Sequence, residues 1–596
     1  MTRSDLLTSA DRAGPLGLRP VAPGARGRLW APEAAAVAVV AHPGGPGERT
    51  VPAARGARGV WDVEVRDLAH ADRYLIEVDG ERVPDPWARW FPEGCDRPPA
   101  LLDPAAIGAL GERPPPPTRS LRDAVLYELH VGTFTRAGTL DAAVARLDHL
   151  AALGVTHLEL MPVAEFPGER GWGYDGIFWQ AVHHAYGGPA ALVRFVDAAH
   201  ERGLAVVLDV VFNHIGPTGD HAWDAFGPFF TDRHRTPWGR AINVDGPGAD
   251  LVRETIFQAA EHWLATVGVD GLRVDACHAI VDQSAHHVLA ELVERARQAR
   301  PEAVLIAESG LNDPRTLHPI DRGGWGFDAD WADDLHHALR TVLTDERRAW
   351  LSDFGTVAQV AAALHRPYVH AGTYSAYRDR RFGAPADDLE PWRFVVFAQN
   401  HDQVGNRPTG DRLPDEARPL AALLTLLGSA TPMLFQGEEL DEDAPFAFFT
   451  DHRDPFIADA TREGRQREFA DWAAEAHEEV PDPQDPATFA RSKLTWRDDE
   501  RARAALARYR RMIELRAEVP RIDAEVTYDE EARWVRADLG HWSLVASFAT
   551  EPAIVPCPGG EVAFATHPQV PEAVGRGGGI ALPPLGGALV HTGGSR

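Results

Sequence analysis

Four stretches carry charged and imidazole side chains in otherwise apolar surroundings: DVVFNH (209–214), GLRVDA (271–276), AVLIAES (303–309) and QNHD (399–402). They supply the carboxylates Asp275, Glu308 and Asp402, the histidines His214 and His401, and Arg273. Carboxylates and imidazoles are the groups that serve as general acids, general bases and nucleophiles. In GLRVDA, Arg273 and Asp275 alternate with Leu272, Val274 and Ala276, so on an extended chain the two charged side chains point the same way. An Arg-x-Asp pair taken alone also fits a buried structural ion pair. The other acids and histidines, each at the end of an apolar run, favour chemistry over packing.

Such groups act together only if the fold gathers them. From Ala124 onward, short apolar runs alternate with longer segments of helical spacing, the pattern of βα units. Eight runs are candidate strands: AVLYELHVGTF, HLELMPV, LAVVLDVVFNH, GLRVDA, AVLIAES, WGFDADW, FVVFAQNHD and ATPMLFQGEE. Eight such strands predict an α/β fold with a (β/α)8 TIM barrel, whose strands are covered on both faces and whose active site lies at their C-terminal ends. The charged residues sit at the ends of candidate strands three, four, five and seven. Asp209 and Glu159 lie inside strands and read as core hydrogen-bonding groups.

Before the barrel, residues 15–100 are rich in Gly and Pro, with short alternating segments such as VWDVEVRDL, which predicts β structure. The run GERPPPPTRS then marks a stiff linker. After Leu515 the β pattern returns. The expected organisation is an N-terminal β-sandwich over 1–110, the barrel over 119–515 and a small C-terminal β domain over 516–596.

The 596 residues carry 60 Lys and Arg against 88 Asp and Glu, a formal net charge of -28, which argues against a nucleic acid or an anionic membrane as partner. A neutral or cationic ligand suits this surface better. Cys95, Cys277 and Cys557 are too scattered for a disulfide framework or zinc motif, and no run of about 18 apolar residues occurs. A cytoplasmic protein is the expectation.

The ordered set DVVFNH, GLRVDA, IAES and NHD resembles the α-amylase superfamily of retaining glycoside hydrolases. The resemblance implies Asp275 as nucleophile, Glu308 as general acid/base and Asp402 as transition-state stabiliser, with Arg273, His214 and His401 around the reacting sugar. Tyr174, in WGYDGIFWQ, would be its stacking platform. The chemistry requires a carboxylate and a carboxylic acid about 5–5.5 Å apart, and the ends of adjacent strands, roughly 4.8 Å apart, can hold them there. Arg273 would keep Asp275 ionised, and neighbouring carboxylates would keep Glu308 protonated.

Further segments, among them GERGWGYDGIFWQAVHHAYGGP, QNHDQVGNRPTGDR, FFTDH and PDPQDPATFARSKLTW, resemble the trehalose-releasing hydrolases of that superfamily. This implies maltooligosyltrehalose, a small glucan, as substrate. His278 stands where many α-amylases carry Lys, which points to an altered leaving-group side, and Asn312 and Asp313 are further candidates there or simply a turn. Asn213 lies where many α-amylases bind calcium, but no carboxylate cage accompanies it in the sequence. No metal and no cofactor are therefore expected. Glu438 and Glu439 could line the mouth or cap a loop. A branching enzyme or other glucanotransferase would need the same acids, and a non-catalytic glycan-binding protein would be expected to have lost them.

Overall fold

The computed structural model describes residues 14–476, 479–575 and 577–593. Its centre is a closed barrel of eight parallel strands: β1 Leu126–Leu129, β2 His157–Leu160, β3 Ala205–Val210, β4 Gly271–Val274, β5 Val304–Ala307, β6 Ala329–Trp331, β7 Phe394–Phe397 and β8 Thr431–Phe435. All eight expected strands are present in the expected order, and β8 closes onto β1. Val207, Ile306, Val395, Phe397 and Met433 belong to one cluster that fills the barrel interior. The parallel register pairs Asp209 with Arg273 and Val274 with Ala307, which brings the ends of β3, β4 and β5 level.

Each strand is shorter than the apolar run that predicted it. β1 stops at Leu129 and Val131–Phe134 forms a helical turn, β3 stops before Phe212, Asn213 and His214, and β7 stops well before His401. At the mouth the chains leave the ladder, and side chains take over the hydrogen bonding of the backbone. Asn213, His214, Asp275, Glu308, His401 and Asp402 therefore stand just beyond the strand ends, while Asp209 and Arg273 stay on β3 and β4. The stretch 140–154, which has the spacing of one helix, forms two, Leu140–Val144 and Leu147–Leu153.

The N-terminal region is a sandwich of two four-stranded antiparallel sheets. It is fastened to the barrel by Trp87, whose Nε1 donates to Thr255 Oγ1 at 3.0 Å, and by the Leu16 amide, which donates to Gln258 Oε1 at 2.7 Å. Both partners belong to helix Ala249–Glu261. The proline-rich linker forms neither helix nor strand. A six-stranded sheet and a two-stranded one make the C-terminal β domain. Its Glu530 carboxylate accepts the amides of Val357 and Ala358 at 3.1 and 3.0 Å, capping the N-terminus of helix Val357–His365. Among the described residues no helix is long and apolar enough to cross a membrane.

Candidate active site

Arg273 is the hub of the mouth. Its side chain is 2% exposed, and Nη1 donates to Asp209 Oδ1 and Oδ2 at 2.9 and 2.8 Å and to Asp275 Oδ1 at 2.6 Å. Nη2 lies 3.7 Å from Glu308 Oε2. The guanidinium carbon sits 4.1 Å from the centroid of the Trp331 ring, so an aromatic face closes the remaining side. Asp275 and Glu308 are 14% and 17% exposed, so one sealed cation backs two acids that still reach the cleft. Asp275 and Glu308 follow directly on β4 and β5, their amides bonded to the carbonyls of Val210 and Val274 at 3.0 Å each.

Ala276 takes φ 40, ψ 50, a left-handed conformation uncommon for alanine. Its amide donates to Glu308 Oε2 at 2.6 Å, so this turn links the strand-four loop to the acid of strand five. Asp402 lies in the short helix His401–Gly405 after β7, and its Oδ1 accepts Asn406 Nδ2 at 2.6 Å. His401 is anchored from behind by Glu128 at the end of β1, which accepts its amide at 2.8 Å and bonds its Nδ1. The Tyr174 ring is stacked on His401, centroids 5.0 Å apart at 23°, and its hydroxyl donates to Asp209 Oδ2 at 2.6 Å.

The electrostatics follow from this layout. Burial is the largest influence on Glu308 and raises its carboxyl well above the usual range. Arg273 opposes the rise, while the charges of Asp275, Asp333 and Asp402 add to it. Burial likewise lifts Asp209 to about 6 against the pull of Arg273. For His401 burial works downward, but the charge and hydrogen bond of Glu128, with the charge of Asp402, outweigh it and leave the imidazole above its ordinary value. Glu159 is raised well above its usual range by burial, next to Glu128 and Asp209, and lies within the barrel core.

His214 and His278 border the opening. His214 is buried, and its ring is stacked with Trp238 at 5.7 Å and 24°. Trp238 also meets His278 edge to face at 6.4 Å, and His278 Nδ1 accepts the Gly310 amide at 3.3 Å. Burial lowers both imidazoles, with the Asp275 charge opposing. Asn312 and Asp313 are engaged elsewhere. Asn312 Nδ2 donates to Asp334 Oδ2 and to the His370 carbonyl at 2.8 and 3.2 Å, and Asp313 caps the turn Pro314–Thr316. Glu438 and Glu439 hold the end of β8: Glu438 accepts the Phe435 amide at 2.9 Å and the Tyr509 hydroxyl at 3.2 Å, and Glu439 bonds the Tyr127 hydroxyl and His149. Asn213 is buried, and neither its Nδ2 nor its Oδ1 is hydrogen-bonded among the described residues.

Three contributors escaped the sequence reading. Asp333 follows β6, bonds Gln403 Nε2 at 3.1 Å, and its charge acts on Glu308. An acid just past the sixth strand was the available signal, but the expected strand ended at Trp331. Trp331 itself was read as strand core, yet its ring covers Arg273. Trp238 lies at the tip of a hairpin, Phe230–Thr236 and Gly239–Ile242, inserted between β3 and β4, and only the turn-like TPWG marks it in the sequence.

Comparison with known proteins bears on this pocket. The chain matches the alpha amylase catalytic domain family over residues 118–226, carbohydrate-binding module 48 (isoamylase N-terminal domain) over 15–90, and domain of unknown function 3459 over 521–589. It is 42% identical to the malto-oligosyltrehalose trehalohydrolase of Rhizobium sp. (strain M-11), covering 96% of this chain and 98% of that one. It is 44% identical to the protein of the same name from Arthrobacter ramosus, covering 90% and 94%. A crystal structure of a Salmonella typhimurium protein provisionally assigned as an alpha amylase superposes with TM-score 0.85 at 36% identity, covering 96% of this chain and 99% of that one.

Proposed function

The chain belongs to the malto-oligosyltrehalose trehalohydrolase family of the α-amylase superfamily, and we propose that it hydrolyses the α-1,4 bond next to the terminal trehalose of maltooligosyltrehalose. Trehalose and a shortened maltooligosaccharide are the products. The observation that carries this reading is the shared guanidinium: Arg273 lies 2.6 Å from Asp275 and 3.7 Å from Glu308, on neighbouring strand ends of a barrel mouth.

In this mechanism Asp275 attacks the anomeric carbon, and the bond to the trehalose oxygen breaks as Glu308 gives that oxygen its proton. Arg273 holds the Asp275 carboxylate in place through a 2.6 Å hydrogen bond, while burial and surrounding acids keep Glu308 protonated. Asp402 accepts sugar hydroxyls as positive charge develops, and His214 and His401 hold the same ring. Tyr174 offers its face as the platform, fixed by His401 and Asp209. Water then gives a proton to Glu308 and attacks the glycosyl carbon, freeing Asp275, so the α configuration is retained. His278 and Trp238 border the leaving-group side, where trehalose must be preferred over an ordinary maltose end. The free, buried thiols of Cys95, Cys277 and Cys557 support a reducing, cytoplasmic setting.

The test is product analysis on a trehalose-capped maltodextrin. Free trehalose with an initially α-configured maltooligosaccharide by NMR is the expected result. New α-1,6 branches, or a β-configured first product, would overturn it.

A further inference from the structure

Away from the catalytic pocket, Glu165, His183 and His184 bring one carboxylate and two imidazoles together. One ligand atom from each lies within 4.8 Å of the others, the one such group among the described residues. A short β pairing creates it: Ala164–Glu165 runs antiparallel to Phe178–Val182, and the two histidines follow directly on that strand. Glu165 Oε2 accepts the His184 amide at 2.9 Å, and Oε1 meets His184 Nδ1 at 2.9 Å. The Glu165 side chain is 0% exposed, and no arginine or lysine among the described residues is ion-paired with it.

Each imidazole is presented as a ligand would be. His183 is wholly buried and lies flat on Phe166, ring centroids 3.7 Å apart at 21°. Burial drives it far below its ordinary value, so the ring is neutral, the form that binds metals. The carbonyls of Gly168 and Phe166 border this ring, yet its Nε2 has no partner of hydrogen-bond geometry. A buried polar atom left this way costs free energy unless something else engages it. His184 Nε2 lies 3.3 Å from Glu169 Oε1, the carboxylate support that commonly stands behind a metal-bound imidazole.

We propose that Glu165, His183 and His184 form a binding site for a divalent cation of the zinc class, with water completing the shell. Two nitrogens and one oxygen suit zinc, cobalt or nickel, whereas calcium and magnesium need mostly oxygen ligands in larger number. Bonds of about 2.0–2.2 Å at tetrahedral angles set ligand atoms roughly 3.3–3.6 Å apart, so the 2.9 Å contact of Glu165 with His184 opens slightly while the wider separations of the cluster close. Coordination through either nitrogen of His183 gives up the 3.2 Å contact from the Ala185 amide to Nδ1, which then carries either the metal or the ring proton. A metal ligand must shed its proton to bind, so binding strengthens as pH rises.

The site joins the two ends of the segment 166–182, which carries the rings of Trp172 and Tyr174 against His401. A cation here restrains the loop whose Tyr174 hydroxyl bonds Asp209.

The experiment uses the full chain after chelator treatment, titrated with Zn2+ alone by calorimetry in two buffers of different protonation enthalpy, and with Co2+ by visible absorption. The expected result is one equivalent bound with proton release, a cobalt ligand-field band and a higher thermal midpoint. Glu165→Gln and His184→Gln should weaken that equivalent by about 100-fold or more, and the exposed Glu169→Gln by roughly tenfold. Circular dichroism establishes that each variant is folded. Equal cobalt uptake by wild type and Glu165→Gln, or no saturable equivalent in the wild type, would overturn the proposal. If Glu165→Gln does not fold, unchanged affinity in Glu169→Gln overturns it instead.

Discussion

Arg273 donates to Asp275 at 2.6 Å, a bond between near neighbours in sequence that sets a sealed cation behind an acid open to the cleft. The same nitrogen holds Asp209, which in turn accepts the Tyr174 hydroxyl. Position, charge and the sugar platform thus share one guanidinium. Loss of any member is felt by the others.

Arg273→Gln should therefore damage both activity and stability. Leaving Asp209 and Asp275 without their buried cation costs about 3–5 kcal/mol of folding stability, and kcat should fall by a factor on the order of 1000 as Asp275 loses its electrostatic support. Arg273→Lys keeps the charge but has only one nitrogen for positions now held by two, so it should recover stability better than turnover. Denaturant midpoints and steady-state kinetics on the same preparations separate the two effects.

A second expectation concerns pH. Glu308 is raised by burial and, in part, by the negative charge of Asp333. Glu308 must be protonated to donate, so activity falls as pH rises through its value. Asp333→Asn removes a charge that favours the protonated form, so the alkaline limb of kcat/KM should move to lower pH. A limb that stays in place or moves upward would show that Asp333 does not act on Glu308.

Much of this site was legible in the sequence because the barrel repeats one rule, in which each apolar run of strand length ends in a turn at the same face. Asp275, Glu308 and His401 could be placed that way. Asp333 could not, because the ladder between β6 and β7 is short and the acid falls two residues beyond Trp331. Trp238 was hidden for a different reason: it belongs to an inserted hairpin, and which face that hairpin covers is decided by packing against His214 rather than by any period. The turn residues Asn312 and Asp313 illustrate the converse, since polar character alone did not say that Asn312 would be buried and spent on Asp334.

Glu128 offers a third prediction. It holds His401 through both its amide and its ring and, against burial, raises the imidazole above its ordinary value. Glu128→Gln removes that charge, so His401 should lose its proton at a lower pH than in the wild type. If the protonated ring helps hold the sugar, kcat of this variant should fall by roughly 10–100-fold at neutral pH and recover partly on acidification. Histidine NMR titration reads the shift directly, and an unchanged His401 titration would rule out the pairing as its cause.

Trp238 tests the leaving-group side. Its ring is 47% exposed at the hairpin tip, yet it is aligned with His214 and meets His278, so it presents a rigid apolar face beside the opening. Contacts of such a face are worth about 0.5–1.5 kcal/mol beyond buried area, which corresponds to roughly a threefold to tenfold change in affinity. Trp238→Ala should raise KM for the trehalose-capped substrate by that factor with a smaller change in kcat, because the stacking is made before the bond breaks. If Trp238 reads the trehalose unit, kcat/KM for an uncapped maltodextrin should fall less, and the preference between the two substrates should narrow. Equal losses on both substrates would place Trp238 on a part of the glucan that the two share.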